Sequence, residues 1–300
     1  MQNLKRTNSL PWPSISGAQA GVPPHSAKLG ASLDVAEVLC DASLYGDGPP
    51  LWDNCTSSAT AEKQRQSLCK RLRRFRYLRD GAAEVEASLA HCQPPNGNCR
   101  SAACILCGRA FQRFVVRQGN SLFASAGKEN LYLLTVVPEA AQAQIGALGS
   151  HDLSAVTSGF ASAMKSVDDV RFLAGWDISL NDERQRGNGK FWQPHLHAVV
   201  ETSHQKALKG ALSKQFASER IHRPVQFQPN FDGSNRGFSY PFKVGHFEKK
   251  VFYRSSIDNT WKVKPNRFSA SEEVELYLWL SAVGLSNRLI CSDDIYGGAA

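Results

Sequence analysis

"VRFLAGWDISLNDERQRGNGKFWQPHLHAVVE" (170–201) decides the fold. Two alternating apolar runs, 170–181 and 191–201, flank a polar stretch with two glycines, the pattern of two antiparallel strands and their turn. Successive side chains of a strand point to opposite faces. His195, His197 and Val199 therefore share one face, and Leu196, Ala198 and Val200 the other. In the first strand, Asp177 and Ser179 are out of phase with Phe172, Ala174, Trp176 and Ile178. The apolar sets pack toward helices, and Asp177 comes to lie beside the histidines across the hairpin. Imidazoles two strand residues apart, about 7 Å between Cα atoms, can converge on one ion. With a carboxylate they make a site suited to Mg²⁺ or Mn²⁺. The alternative is that each ring is satisfied by backbone.

Working outward, "LYLLTVV" (131–137) reads as a strand stopped by Pro138, and "SHDLSAVTSGFASAMKS" (150–166) as a helix. "HQKALKGALSKQFA" (204–217) is a second helix and "PVQFQPNF" (224–231) another strand. The order β-α-β-β-α-β predicts an α+β fold, a ferredoxin- or RRM-like antiparallel sheet with its helices on one face. Residues 1–60, rich in Pro, Ser, Gly and Ala, form an irregular extension with a short helix near "SLDVAEVL". A basic helix and a cysteine-rich segment occupy 61–127, the core 128–260, and a helical element, with a helix at 271–284, residues 261–300.

The 300 residues carry a net charge of +8, which favours an anionic partner, nucleic acid before membrane. No apolar run approaches the roughly 20 residues of a membrane span, and no secretion signal precedes the fold. Both observations predict a cytoplasmic protein. Residues 63–79, "KQRQSLCKRLRRFRYLR", place Leu68, Leu72, Phe75 and Leu78 at helical spacing. Lys70, Arg71, Arg73, Arg74 and Arg76 of this helix either contact phosphates or form a solvated face. Four of the eight cysteines, Cys92, Cys99, Cys104 and Cys107, fall within sixteen residues, with Gly97 and Gly108 for tight turns. Such a cluster suits a structural Zn²⁺ in an N-terminal zinc-binding segment, where it props a DNA-contacting loop, and Arg109 and Arg113 continue the basic surface. The alternatives are ordinary buried thiols, an iron–sulfur cluster, or His91 in place of Cys92.

"LYLLTVV", "GWDISLND", "WQPHLHAVV" and "FSYPFKV" (238–244), in that order and spacing, resemble the motifs of HUH endonucleases, in particular rolling-circle replication initiators of small plasmids and some filamentous phages. The resemblance covers roughly residues 90–285, and "PHLHAVV" is its most specific part. It implies that His195, His197 and Asp177 hold the divalent ion and that a tyrosine cuts one DNA strand. Tyr240 and Lys243 match the family's Tyr-x-x-Lys pattern. Pro241 departs from it and predicts that Tyr240 stands at the start of a helix whose first residue is the proline. Tyr253 is the second candidate, and Tyr277 belongs to the core. The implied activity is a nick at an origin, leaving a 5′-phosphotyrosine and a free 3′ hydroxyl for a polymerase. The implied partners are single-stranded or origin DNA with a host polymerase and, since no phosphate-binding helicase motif is present, a host helicase. A transposase or mobilisation relaxase shares this site, and a zinc-bearing DNA-binding protein is the non-enzymatic alternative. Phe191, Trp192 and Phe238 either stack on unpaired bases or pack in the core.

Overall fold

The computed structural model describes residues 35–47, 56–229, 231–245 and 247–292. Most of the expected irregular extension, with Cys55, lies outside them; within it, α1 (Val35–Val38) falls inside the expected short helix. The strands are β1 (Leu131–Val136), β2 (Ala143–Gln144), β3 (Arg171–Glu183), β4 (Gly189–Glu201), β5 (Val225–Gln228), β6 (Glu248–Arg254), β7 (Trp261–Asn266) and β8 (Leu289–Cys291). They form one sheet in the order β5-β1-β4-β3-β6-β7, with β2 on β4 and β8 on β3.

Its axis is the β3–β4 hairpin, paired from Arg171 opposite Glu201 to Glu183 opposite Gly189. Gly187 and Gly189, at φ 84° and 78°, turn the chain through the left-handed region that costs glycine no Cβ clash. α5 (Ser154–Lys165) links β1 to β3, and α6 (Gln205–Gln215) links β4 to β5. β1 pairs antiparallel with β4 and β5, so the four strands have the split βαβ arrangement. The α+β class is as expected, but the sheet is not purely antiparallel. β6 joins β3 in parallel, Ser179 opposite Glu248, because the chain crosses the sheet face after β5 and returns in the direction of β3.

Phe160 and Met164 of α5 and Leu208 and Leu212 of α6 close one core over Phe172, Ala174, Trp176, Leu196, Ala198 and Val200. The larger core holds Leu173 and Val199 of the other sheet face together with α2 (Ser58–Phe75), α3 (Ala82–Ala90), α4 (Ile105–Leu122), α7 (Asn235–Ser239) and α8 (Ala270–Val283). α2 ends at Phe75, four residues before the expected end. Leu78 is 73% exposed and Tyr77 84%, so Leu78 leaves the predicted apolar stripe as the chain turns at Gly81 into α3. The 260/261 boundary falls in the turn between β6 and β7, which pair along their length.

Arg109 and Arg113 are buried and do not extend a basic surface. Arg109 donates to the carbonyls of Thr56 (2.6 Å), Tyr45 (3.0 Å) and Gly46 (3.2 Å) and to Asp47 Oδ1 (2.7 Å). It fastens the chain before α2 to the side of α4. Removal strands several acceptors, so Arg109→Ala is expected to lower unfolding free energy by about 2–3 kcal/mol, read by denaturant titration, whereas exposed Arg74→Ala leaves it unchanged.

Glu272, in the capping box with Ser269 at the start of α8, also accepts from Lys249 of β6 and Lys190 of β4. Burial would raise this carboxyl, but the lysines and the Ser269 backbone outweigh it and hold it at about 2. A depressed carboxylate stabilises the fold above its unfolded value and loses that contribution as pH falls through the folded one. Acid titration of stability is therefore expected to steepen below the ordinary glutamate range and to flatten there in Glu272→Gln.

Candidate metal and tyrosine site

The hairpin register places Asp177 opposite His195 and Gly175 opposite His197. All three candidate ligands lie on the face turned away from α5 and α6. Their donor atoms fall within 4.8 Å of one another, and the residues are 6–9% exposed. His197 Nε2 is 3.6 Å from Asp177 Oδ2. Thr135 of β1, the cross-strand partner of His197, sets its hydroxyl 2.9 Å from Nδ1. That contact engages one ring nitrogen and leaves the other facing Asp177, as an outer-shell partner orients a metal-binding imidazole. Ser179 Oγ stands 3.5 Å from His195 Nε2.

Burial pushes His195 down to about 3, so its ring is neutral and can offer a lone pair. Burial would raise Asp177, but the contact with His197 and the charge of Lys243 outweigh it and hold the carboxyl below its ordinary value. Lys243 loses from burial and gains more from Asp177, so it stays an ammonium.

Gly175 admits the tyrosine. A Cβ there would come within 2.7 Å of the Phe242 ring and 2.8 Å of the Pro241 carbonyl, so only glycine lets this segment lie against the strand. The segment is a 3₁₀ turn, Tyr240–Phe242, that follows α7 directly. Tyr240 has helical dihedrals, φ −59° and ψ −42°. It caps the C-terminus of α7 and is also the first residue of the 3₁₀ turn, so the expected helix start is met in this short turn, with Pro241 as its second residue. The proline is accommodated by tightening to three residues per turn. In such a turn residues i and i+3 eclipse, which is why Lys243, itself extended, reaches Tyr240 with Nζ 4.0 Å from the ring centroid. The Tyr240 ring meets His197 edge-on at 4.7 Å between centroids. Lys243 Nζ also donates to Asp177 Oδ2 at 2.8 Å. Tyr240 is 44% exposed, so its hydroxyl is approachable from solvent.

Sequence reading missed Arg288. This 2% exposed side chain donates to the carbonyls of Trp176 (3.0 Å) and Lys243 (3.2 Å), clipping the Asp177 strand to the Tyr240 turn. Burial lowers its guanidinium to about 10 against the pull of Asp177. Nothing in "SNRLIC" marks it, since an isolated arginine in a sequence normally reads as surface.

Tyr253 lies on the opposite sheet face: its strand is registered so that Lys249, two pairs earlier on the same side, neighbours Leu180. Tyr277 is buried, as expected. Phe191, Trp192 and Phe238 are at most 9% exposed and pack in the interior, Trp192 on Phe268 and Phe238 on Phe123, so they offer no base-stacking surface.

Cys92 follows α3, Cys99 ends a tight loop closed by reciprocal Gln93–Gly97 backbone bonds of 2.8 Å, and Cys104 and Cys107 open α4. Sγ separations are 3.5 Å (92–107), 3.6 Å (92–104) and 3.8 Å (99–107). These four can hold one metal ion. His91 is exposed and lies against the Ala87 carbonyl at 2.7 Å, outside the cluster. Of the expected phosphate contacts, Lys70, Arg73, Arg74 and Arg76 are exposed on and after α2. Arg73 pairs with Glu86 at 2.7 Å, and half-buried Arg71 pairs with Glu273.

Comparisons with family models, curated proteins and solved structures return no match. No helix among the described residues is long and apolar enough to cross a membrane.

Thr135→Val removes the partner of His197 Nδ1 without changing side-chain volume much. Titration with Mn²⁺ is expected to show about 10- to 100-fold weaker binding, while His195→Ala abolishes it.

Proposed function

We propose that this chain is a metal-dependent, tyrosine-nucleophile DNA nickase of the HUH type, and that it initiates rolling-circle replication. One observation carries the reading. Tyr240 and Lys243, about forty residues beyond the hairpin in sequence, meet His197 and Asp177 in space. A packing aromatic has no need of an ammonium over its ring and an imidazole against its edge at once, with the ammonium itself held by a buried carboxylate.

A divalent ion, Mg²⁺ or Mn²⁺, held by His195, His197 and Asp177 would polarise the scissile phosphate. Two nitrogen donors with one carboxylate fit it, and imidazole favours the softer Mn²⁺. Tyr240 Oη attacks the phosphorus, the bond to the 3′ oxygen breaks, and the 5′ phosphate stays on the tyrosine. The leaving oxygen takes up a proton as the 3′ hydroxyl. Lys243, kept charged by Asp177, stabilises the phenolate as the Tyr240 proton departs. Thr135 fixes the His197 ring, and Arg288 holds the nucleophile's turn against the ligand strand.

The cysteines fit a structural Zn²⁺. Four bonds of about 2.3 Å in a tetrahedron put the sulfurs about 3.8 Å apart, near the spacing found. Such a site has no open position for substrate. It joins the end of α3 to the start of α4, the helix behind the Tyr240 turn.

The partner is single-stranded origin DNA, with a host helicase and polymerase, in the cytoplasm. Exposed Lys70, Arg73, Arg74 and Arg76 supply phosphate contacts and a salt-dependent affinity.

The test incubates the protein with labelled single strands from its own replicon and Mn²⁺, resolved on a denaturing gel. A covalent protein–DNA band is expected, absent in Tyr240→Phe and reduced more than about a hundredfold in His197→Ala, the scale of losing a charge-stabilising contact. DNA binding without any adduct would leave the zinc-bearing binding protein in its place. Joining of the adduct to a second, non-origin target would favour a transposase or relaxase. In the same preparation, metal analysis is expected to find one tightly held Zn²⁺ per chain, lost in Cys107→Ser.

A further inference from the structure

β6 and β7 extend beyond the sheet as a two-stranded ribbon. Partners across neighbouring strands share a face. Ser179 opposite Glu248 and Asn181 opposite Lys250 therefore carry the face of Asp177 and His195 onto β6, where it continues through Phe252 and Arg254. Phe252 opposite Val263 and Arg254 opposite Trp261 carry it on to β7. Unlike the sheet around Gly175, this part leaves large side chains open: Trp261 is 40% and Val263 51% exposed. The Arg186 guanidinium, from the β3–β4 turn, lies over both rings, 4.5 Å from the Phe252 centroid and 4.8 Å from that of Trp261.

The charges around it favour an anion. Arg186, Lys250 and Arg254 border this face, while Lys262 and Lys264, opposite Tyr253 and Val251, line the other face; the acids nearby are Glu183, Glu248 and Asp258. Each acid has a lysine or arginine partner: Glu183 with Arg186 (3.7 Å), Glu248 with Lys250 (3.6 Å), Asp258 with Lys262 (2.9 Å). A protein strand added to β7 is disfavoured, because Lys262, Lys264 and Pro265 are the residues that blunt a sheet edge.

We infer that the Phe252–Arg186–Trp261 face of the ribbon is a stacking platform for unpaired bases of the DNA strand that runs through the Tyr240 site. This rests on the nickase reading for the identity of the strand, and on the ribbon's own chemistry for the binding. Aromatic rings with an adjacent guanidinium and flanking cations bind single strands with little sequence preference. Phe252 pairs one position beyond Asp182–Val251 and so lies level with Glu183, six residues along β3 from Asp177. At about 3.3 Å per residue the platform lies about 20 Å from the metal ligands. It holds bases a few nucleotides from the cut, not the scissile step.

Anisotropy of fluorescein-labelled oligo(dT) of about 16 nucleotides, without divalent metal, tests the platform. Trp261→Ala and Arg186→Ala are each expected to weaken binding about five- to hundredfold, the range for loss of one base–aromatic stack, and Trp261→Phe to restore most of it. The nicking assay runs in parallel on a long origin strand and on one trimmed close to the cut. Both variants are expected to need more of the long strand for half-maximal adduct and to match wild type on the trimmed one. Equal oligo(dT) affinity of wild type and both variants overturns the platform, even if Tyr240 adducts form normally. Weakened oligo(dT) binding in variants of a protein that forms no adduct upholds the platform and removes the nickase instead.

Discussion

The register of one hairpin governs the rest. Asp177 stands opposite His195 because β3 and β4 pair without a bulge over their whole length. A slip of one residue in β3 would send Asp177 into the α5–α6 core and turn Trp176 to the face that carries His195 and His197. The apolar faces forbid that slip, because Trp176, Leu196, Ala198 and Val200 have nowhere else to be buried. The same hydrophobic alternation that builds the core therefore holds a carboxylate and two imidazoles together, with no interaction among the three needed to bring them there. Their desolvation is a cost that the packing of the opposite face bears.

Around that fixed feature the second layer is arranged for close approach. Three small residues make the room: Gly175 under the Tyr240 turn, and Gly108 and Gly119 on α4, where a Cβ would crowd Val244 (3.0 Å) and the Phe238 ring (2.7 Å). The latter two are eleven residues apart, close to three helical turns, and so lie on one side of α4. The Cys cluster secures the first turn of that helix, and Arg109, two residues on, secures its flank. A segment lacking long regular structure of its own, 235–244, is thereby held between a sheet and an anchored helix.

The alternating strands and the two helices that cover them were legible, because each has one apolar face and a period that follows from it. The phase of Asp177 was legible for the same reason. α4 was not, although its buried Phe111, Val115 and Val116 recur at helical spacing: the cysteines at its start read as a metal loop, and the buried Arg109 and Arg113 read as an exposed basic surface. Those arginines read as surface because sequence shows the charge and not the carbonyls that receive it. The β6–β7 ribbon was equally faint, being open on both faces and so without a strong alternation. Tyr240 was found by its spacing to Lys243, and its proline marked the start of a turn that proves to be 3₁₀ and only three residues long.

Arg288 has a bearing on how the molecule is made. Translation delivers a chain from its N-terminus, and domains begin to organise as they emerge. The hairpin with Asp177, His195 and His197 can form once residue 201 is out, and the Tyr240 turn can settle soon after. The clip between them arrives some ninety residues after the hairpin, together with β8, which pairs with Leu173–Gly175 of β3, the strand that carries Asp177. A ribosome-bound intermediate would thus carry every side chain of the candidate site before it has the tie that sets the tyrosine against Asp177 and the histidines. The arrangement of the candidate site is completed last, by a residue outside it.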